Sequence, residues 1–141
     1  MLDYSLLKSH QLNAINDTIN SNFKSGVFFH ATGTGKSWIS FYLLDAYLKF
    51  TKVKLPIIFW VCERKTILSD QFNINTLKKN NLLRFITSRF NIVNFSKNKP
   101  SNWINSIKAA KFWNKPILLI INRSFMTTKK RYKDISDPIN L

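Results

Sequence analysis

Two hydrophobic patterns alternate along this chain: short unbroken apolar runs, and longer stretches in which apolar residues recur at helical spacing. The apolar runs predict buried strands at residues 27–29, 57–61, 91–95 and 117–121. The spaced stretches predict helices at residues 6–22, 37–50, 65–79 and 103–112, with Ser9 as the cap of the first, while residues 82–90 fit either element. Strands that alternate with helices predict an α/β fold with a doubly wound parallel sheet, covered by helices on both faces.

The segment between the first strand and the second helix has the composition of a phosphate-binding loop. Residues 30–37 read HATGTGKS, which departs from G-x-x-x-x-G-K-[ST] only where a histidine replaces the first glycine. Backbone N–H groups there would face a β-phosphate at the positive end of the following helix. Gly33 and Gly35 permit a close approach of the backbone to the phosphates. Lys36 can reach the β- and γ-phosphates, and the Ser37 hydroxyl can ligate Mg²⁺, so a nucleotide bound with Mg²⁺ is the predicted ligand.

The charge of the chain indicates a polyanionic partner. Twenty-two Lys and Arg against seven Asp and Glu give a formal net charge of +15, and these basic residues are scattered rather than gathered in one tail. Nucleic acid is the partner that such an excess favours, although an A/T-rich coding sequence would also enrich lysine. Core packing rather than base stacking is predicted for Trp60, Trp103 and Trp113.

The cysteine count and the apolar runs limit the cellular locations that are expected for this protein. Cys62 is the only cysteine, which excludes an internal disulfide and a cysteine-based zinc cluster. No apolar stretch reaches the roughly 18 residues of a membrane span. We therefore expect a soluble intracellular protein, of the cytoplasm or nucleus and including a viral setting, with no membrane partner.

Separated segments of the chain resemble superfamily 2 helicases, in the branch of type I and type III restriction subunits and related viral helicases. Residues 30–37 resemble motif I, from which this branch usually lacks the outer glycine. Residues 7–11 (LKSHQ) are similar to the element upstream of motif I, and the resemblance implies that Gln11 recognises the adenine edge. The implied nucleotide-binding set, with Lys36 as the catalytic residue, is Gln11, Ala31, Thr32, Gly33, Thr34, Gly35, Lys36 and Ser37.

Two further segments resemble the nucleic-acid-binding motifs of these helicases. Residues 57–71 resemble motif Ia, which implies that Arg64 and Lys65 contact the nucleic-acid backbone; a solvated charged turn is the alternative. Residues 120–125 resemble motif Ib more loosely and imply the same role for Arg123 and Ser124. The resemblance implies a RecA-like P-loop NTPase fold and an ATP-dependent helicase or translocase, with DNA favoured over RNA.

The chain departs from these helicases in its acidic residues. Motif II requires an apolar strand that ends in an Asp-Glu pair, and of the seven acids only Glu63 follows a strong strand, within the motif Ia match. The other strong strand ends in Asn122. We therefore expect residues 1–141 to form the N-terminal part of the first RecA-like domain, incomplete at its C-terminus, with the rest of that domain and a second RecA-like domain as partners. The alternatives are another P-loop NTPase, such as a small nucleotide kinase, and a non-catalytic basic module that binds nucleotide or nucleic acid.

Overall fold

The fold is α/β, with helices and parallel strands in alternation. The computed structural model describes residues 2–28, 35–95 and 100–123, with side chains in the last range from residue 104 onward. Two short 3₁₀ turns occupy Tyr4–Leu6 and Lys79–Asn81. The helices and strands, in chain order, are α1 Ser9–Asn20, α2 Lys36–Phe50, β1 Ile57–Cys62, α3 Lys65–Gln71, α4 Ile74–Leu77, α5 Leu82–Arg89, β2 Asn91–Asn94, α6 Pro100–Phe112 and β3 Ile117–Asn122.

The three described strands form one parallel sheet in the order β1-β3-β2. In its register Ile57 of β1 and Asn91 of β2 both lie beside Ile117, while Cys62 lies beside Asn122. Because β3 is the central strand, each of its six residues is buried. Because β1 and β3 are parallel and Cys62 lies beside Asn122, their carboxyl ends meet at one edge of the sheet. Ligands bind at this edge in folds of this kind.

Helices pack on both faces of the sheet. On one face, Leu118 and Ile120 of β3 join the larger core, to which α1, α2, α3 and α5 contribute. On the other face, Leu119 and Ile121 pack with residues of α6 and β2. The alternation follows from the strand geometry, in which successive side chains point to opposite faces. This confirms the predicted α/β fold with a parallel sheet.

Two expectations about the strands are wrong. Val27 and Phe28 lie outside the sheet and are exposed, because a strand forms only where a second strand pairs with it, and the apolar run cannot show whether one does. Phe29 lies outside the described residues. On β1, Phe59 and Val61 are 45% and 50% exposed, so the face that α6 covers over β2 and β3 is open over β1.

The helix boundaries also differ from the predicted ones. The first helix begins at Ser9 with Lys8 as its N-cap, so Ser9 is not the cap. The predicted helix at residues 65–79 is divided, because the Asn73 side chain accepts a hydrogen bond from the Asn75 N–H and caps a separate α4. The ambiguous residues 82–90 fall largely in a helix, α5. Within the described ranges, no helix combines the length and apolarity that a membrane span requires.

Among the tryptophans, the core prediction holds for one of the two side chains described. Trp60 is buried, whereas Trp113 is 74% exposed just beyond the end of α6, beside the exposed Phe112. Trp113 was predicted to pack in the core together with the amphipathic helix, but α6 ends at Phe112 and the chain turns at Asn114, which has a positive φ of 53°. The side chain of Trp103 lies outside the described residues.

Candidate nucleotide-binding site

The candidate site is built around the first turn of α2. Gly35 is the N-cap of this helix and adopts a left-handed conformation, with φ 82° and ψ 37°. Lys36 and Ser37 are the first two helical residues; the lysine side chain is exposed and the serine is half-buried. Free backbone N–H groups at a helix start, together with the helix dipole, favour an anion. Ala31, Thr32, Gly33 and Thr34 lie outside the described residues.

Gln11 of α1 is in direct contact with this turn. Its side chain is 5% exposed, and its Nε2 donates to the Gly35 carbonyl oxygen at 3.2 Å. Its Oε1 accepts from the Lys8 N–H at 2.9 Å, which satisfies a donor at the start of α1. The Gly35 carbonyl also accepts from the Trp38 N–H at 3.1 Å. The structure thus brings together two residues that the sequence separates by 24 positions.

Gly35 is required here for two independent reasons. Its φ of 82° lies in the left-handed region that L side chains rarely adopt. In addition, a Cβ at this position would collide with Gln11 Nε2. A side chain at residue 35 would therefore both strain the backbone and displace the glutamine.

An open cleft of about 320 Å³ lies beside these residues. Its walls combine apolar side chains and amides, and the lining residues are Leu6, Leu7, Lys8, Gln11, Gly35, Trp38 and Asn80. Polar groups make up about as much of this lining as apolar ones, so a ligand with both a flat apolar part and hydrogen-bonding groups would suit it. The cleft adjoins the first turn of α2 through Gly35 and Trp38, so one ligand can occupy both.

Residues 3–8 include part of the cleft lining, and a buried carboxylate on α2 holds them against that helix. Asp45 lies mid-helix, 1% exposed, and its Oδ2 accepts from Tyr4 Oη at 2.6 Å and pairs with Lys49 Nζ at 3.0 Å. Burial is the main reason that the pKa of Tyr4 lies well above its usual value, and the hydrogen bond to Asp45 raises it further. Tyr42 Oη in turn donates to the Asp3 carbonyl at 3.0 Å. The sequence analysis missed this cluster; its one signal was an aspartate between the apolar residues of α2.

Ser37 also has a side-chain partner that the sequence analysis missed. Gln71 Nε2, at the end of α3, donates to Ser37 Oγ at 3.2 Å. Among the described residues, no group of three or more His, Cys, Asp or Glu could hold a metal ion. A single hydroxyl fits Mg²⁺ only as a supplement to phosphate oxygens and water, which is how Mg²⁺ usually binds at nucleotide sites. The site therefore suits Mg²⁺ that arrives with a nucleotide.

The basic residues predicted to contact nucleic acid follow the two paired strand ends. Arg64 and Lys65 come just after β1 and are exposed; Arg123 comes just after β3. Because Cys62 and Asn122 are neighbours in the register, the structure places these residues at one edge of the sheet. Arg123 Nη1 lies 3.6 Å from Glu63 Oε1, a solvent-exposed pair that contributes little to stability. Ser124 lies outside the described residues.

A comparison with known families matches most of the chain to one family. Residues 5–133 match the family described as type III restriction enzyme, res subunit, which is a superfamily 2 helicase-like ATPase domain with a P-loop. The match confirms the resemblance stated above, and ATP and Mg²⁺ are the cofactors that this family uses in general. Searches of curated proteins and of solved structures gave no match.

Proposed function

The chain belongs to the type III restriction enzyme res subunit family, and on that premise we propose that it forms the ATP-binding part of a helicase or translocase domain. The observation that carries the proposal is the contact between Gln11 and Gly35, because it joins the cleft to the first turn of α2. A nucleotide would place its base in the cleft and its phosphates at that turn. The site would then hold both ends of one ligand.

In this proposal each residue has a separate role. Gln11 and the cleft recognise the adenine, and the loop from Ala31 to Gly35 surrounds the phosphates. The exposed ammonium of Lys36 neutralises the charge on the β- and γ-phosphates, and Ser37 supplies an oxygen to Mg²⁺. Phosphoryl transfer depends mainly on positioning and electrostatic stabilisation, which these groups can provide.

The nucleic-acid track would run along the carboxyl edge of the sheet. The exposed Arg64, Lys65 and Arg123 lie after adjacent strands, and a row of cations suits contacts with backbone phosphates. The net charge of +15 supports a nucleic-acid partner, and the restriction-subunit family favours DNA over RNA. Ser124 joins this track on the sequence resemblance alone. ATP hydrolysis in the complete domain would drive movement along the strand.

The domain needs a carboxylate to orient the attacking water, and none at a described strand end fills that role well. Glu63 is exposed and paired with Arg123, while β3 ends in the buried Asn122. We therefore propose that residues 1–141 are the front part of the first RecA-like domain. The rest of that domain and a second RecA-like domain would supply the missing acid and complete the ATPase site.

A competition experiment tests the nucleotide assignment. A fluorescent ATP analogue is bound to the protein with Mg²⁺ and displaced by unlabelled ATP or GTP. We expect ATP to compete better than GTP, and Gln11→Ala to reduce that preference. Equal competition by ATP and GTP in the unsubstituted protein would contradict adenine recognition in the cleft. If neither ATP nor GTP displaces the analogue, the result would contradict the site itself.

A further inference from the structure

Three side chains from three elements form a hydrogen-bonded relay that ends at the start of α2. Trp60 Nε1–H of β1 donates to Gln71 Oε1 at 2.9 Å, and Gln71 Nε2 donates to Ser37 Oγ at 3.2 Å. The indole is a donor only, so it requires the amide oxygen and leaves the amide nitrogen for the hydroxyl. The relay therefore determines which way the Gln71 amide points.

The indole end of the relay is itself held by packing. Trp60 is buried, and its ring lies 4.7 Å from that of Phe41 and 5.1 Å from that of Phe72, measured between centroids. Phe41 belongs to α2, while Phe72 follows the last residue of α3. An indole enclosed in this way has little freedom to turn. It therefore acts as a fixed anchor for the glutamine.

At the other end, the relay restricts the Ser37 hydroxyl. A serine side chain has three staggered rotamers, and a hydrogen bond from Gln71 favours the one that places Oγ 3.2 Å from the amide nitrogen. We propose that Gln71 is a positioning residue, which holds the Ser37 oxygen ready for the Mg²⁺ of a bound nucleotide. This inference rests on the function proposed above for Ser37.

The relay also joins the two functional edges of the molecule. Helix α3 begins at Lys65, directly after Arg64, and ends at Gln71. Its seven residues span only about 10 Å. Arg64 and Lys65 at its start, and the Ser37 hydroxyl through Gln71 at its end, are thus attached to one short helix.

A double-mutant cycle tests the inference. The ATP dissociation constant is measured with Mg²⁺ and with EDTA for the unsubstituted protein, Gln71→Met, Ser37→Ala and the double variant. Methionine keeps the length of the side chain and removes both hydrogen bonds. We expect Gln71→Met to weaken binding roughly three- to tenfold with Mg²⁺, the effect of one lost hydrogen bond, and to leave binding in EDTA unchanged. In the Ser37→Ala background the same substitution should have no further effect.

A second variant and a spectroscopic measurement distinguish the loss of these hydrogen bonds from a general loss of folding. Trp60→Phe keeps an aromatic ring among Phe41 and Phe72 but removes the indole donor; we expect a smaller loss in the same direction. The indole Nε1–H resonance of Trp60, assigned by its absence from Trp60→Phe, should shift in Gln71→Met. Adding Mg²⁺·ATP should shift it in the unsubstituted protein but not in Ser37→Ala.

The outcomes separate this inference from the function on which it rests. If the unsubstituted protein shows no Mg²⁺-dependent ATP binding, the proposed function is wrong and the role of Gln71 falls with it. If it binds Mg²⁺·ATP, but Gln71→Met binds equally well, the positioning role alone is refuted. An equal loss in EDTA, or an additive loss in the Ser37→Ala background, would also refute it, because either result indicates a general structural effect.

Discussion

Replacing Gly35 by alanine should damage the protein more than any other glycine substitution within the described residues. The left-handed backbone at this position costs an L residue roughly 1–2 kcal/mol. The new Cβ would also displace the Gln11 amide, which now makes bonds to Gly35 and Lys8. Each of those bonds contributes about 0.5–1.5 kcal/mol net. We therefore expect Gly35→Ala to lower the free energy of unfolding by roughly 2–5 kcal/mol.

The assay is urea unfolding followed by circular dichroism, with two comparisons. Gly26→Ala is the matched control, since a Cβ there meets no atom within 4 Å and its φ is outside the left-handed region; its effect should stay within about 0.5 kcal/mol. In a Gln11→Ala background the collision is gone, so Gly35→Ala should cost only the backbone contribution of roughly 1–2 kcal/mol. Equal losses for Gly35→Ala and Gly26→Ala would refute the reasoning, and equal losses with and without Gln11 would refute the collision.

Three further variants test the core, the buried carboxylate and the strand-end cations. Leu118→Ala empties a fully buried position on the central strand and should destabilise the protein by about 2–5 kcal/mol in urea unfolding; a loss below 1 kcal/mol would contradict that placement. Tyr4→Phe removes the O–H donor to Asp45 and should cost about 1–3 kcal/mol. Burial raises the pKa of Tyr4, so the unfolded chain loses that proton at a lower pH than the folded protein does. The free energy of unfolding should therefore fall as pH rises above the ordinary tyrosine value of 10.0. Tyr4→Phe should weaken this fall, and an unchanged pH profile in that variant would contradict the role of Tyr4. Replacing Arg64 and Lys65 together by alanine should reduce the salt dependence of single-stranded DNA binding by a slope of up to about 1.4 in log K against log [salt], and an unchanged slope would place the track elsewhere.

The sequence predicted the secondary structure best where a long apolar run or a regular helical period was compatible with only one kind of element. The strands Ile57–Cys62 and Ile117–Asn122 each lie within one residue of their predicted bounds, because each run follows a proline and has no polar interruption. Helix Lys36–Phe50 was predicted to within one residue at its start. Local pattern was sufficient for the element bounds in these places because each run or period fitted only one kind of element, although it did not predict the exposure of Phe59 and Val61 on the first of these strands.

The remaining features depend on what lies nearby in space, which a sequence pattern does not contain. The apolar run at residues 27–29 gave no sign that its first two residues would lie outside the described sheet. The open face at Phe59 and Val61 likewise follows from the absence of a covering helix there among the described elements. The Gln71–Ser37 and Tyr4–Asp45 bonds join residues 34 and 41 positions apart, so no helical or strand period could show them.

The central claim is that the first turn of α2 binds the phosphates of ATP, and a calorimetric titration with Mg²⁺·ATP tests it most directly. Lys36→Ala removes the exposed ammonium at this turn, whereas Lys52→Ala removes an equal charge beyond the other end of the same helix. We predict that the unsubstituted protein and Lys52→Ala bind alike, and that Lys36→Ala binds at least roughly tenfold more weakly, as for a lost charge-assisted contact. Equal binding by Lys36→Ala, or no binding by the unsubstituted protein, would contradict the account.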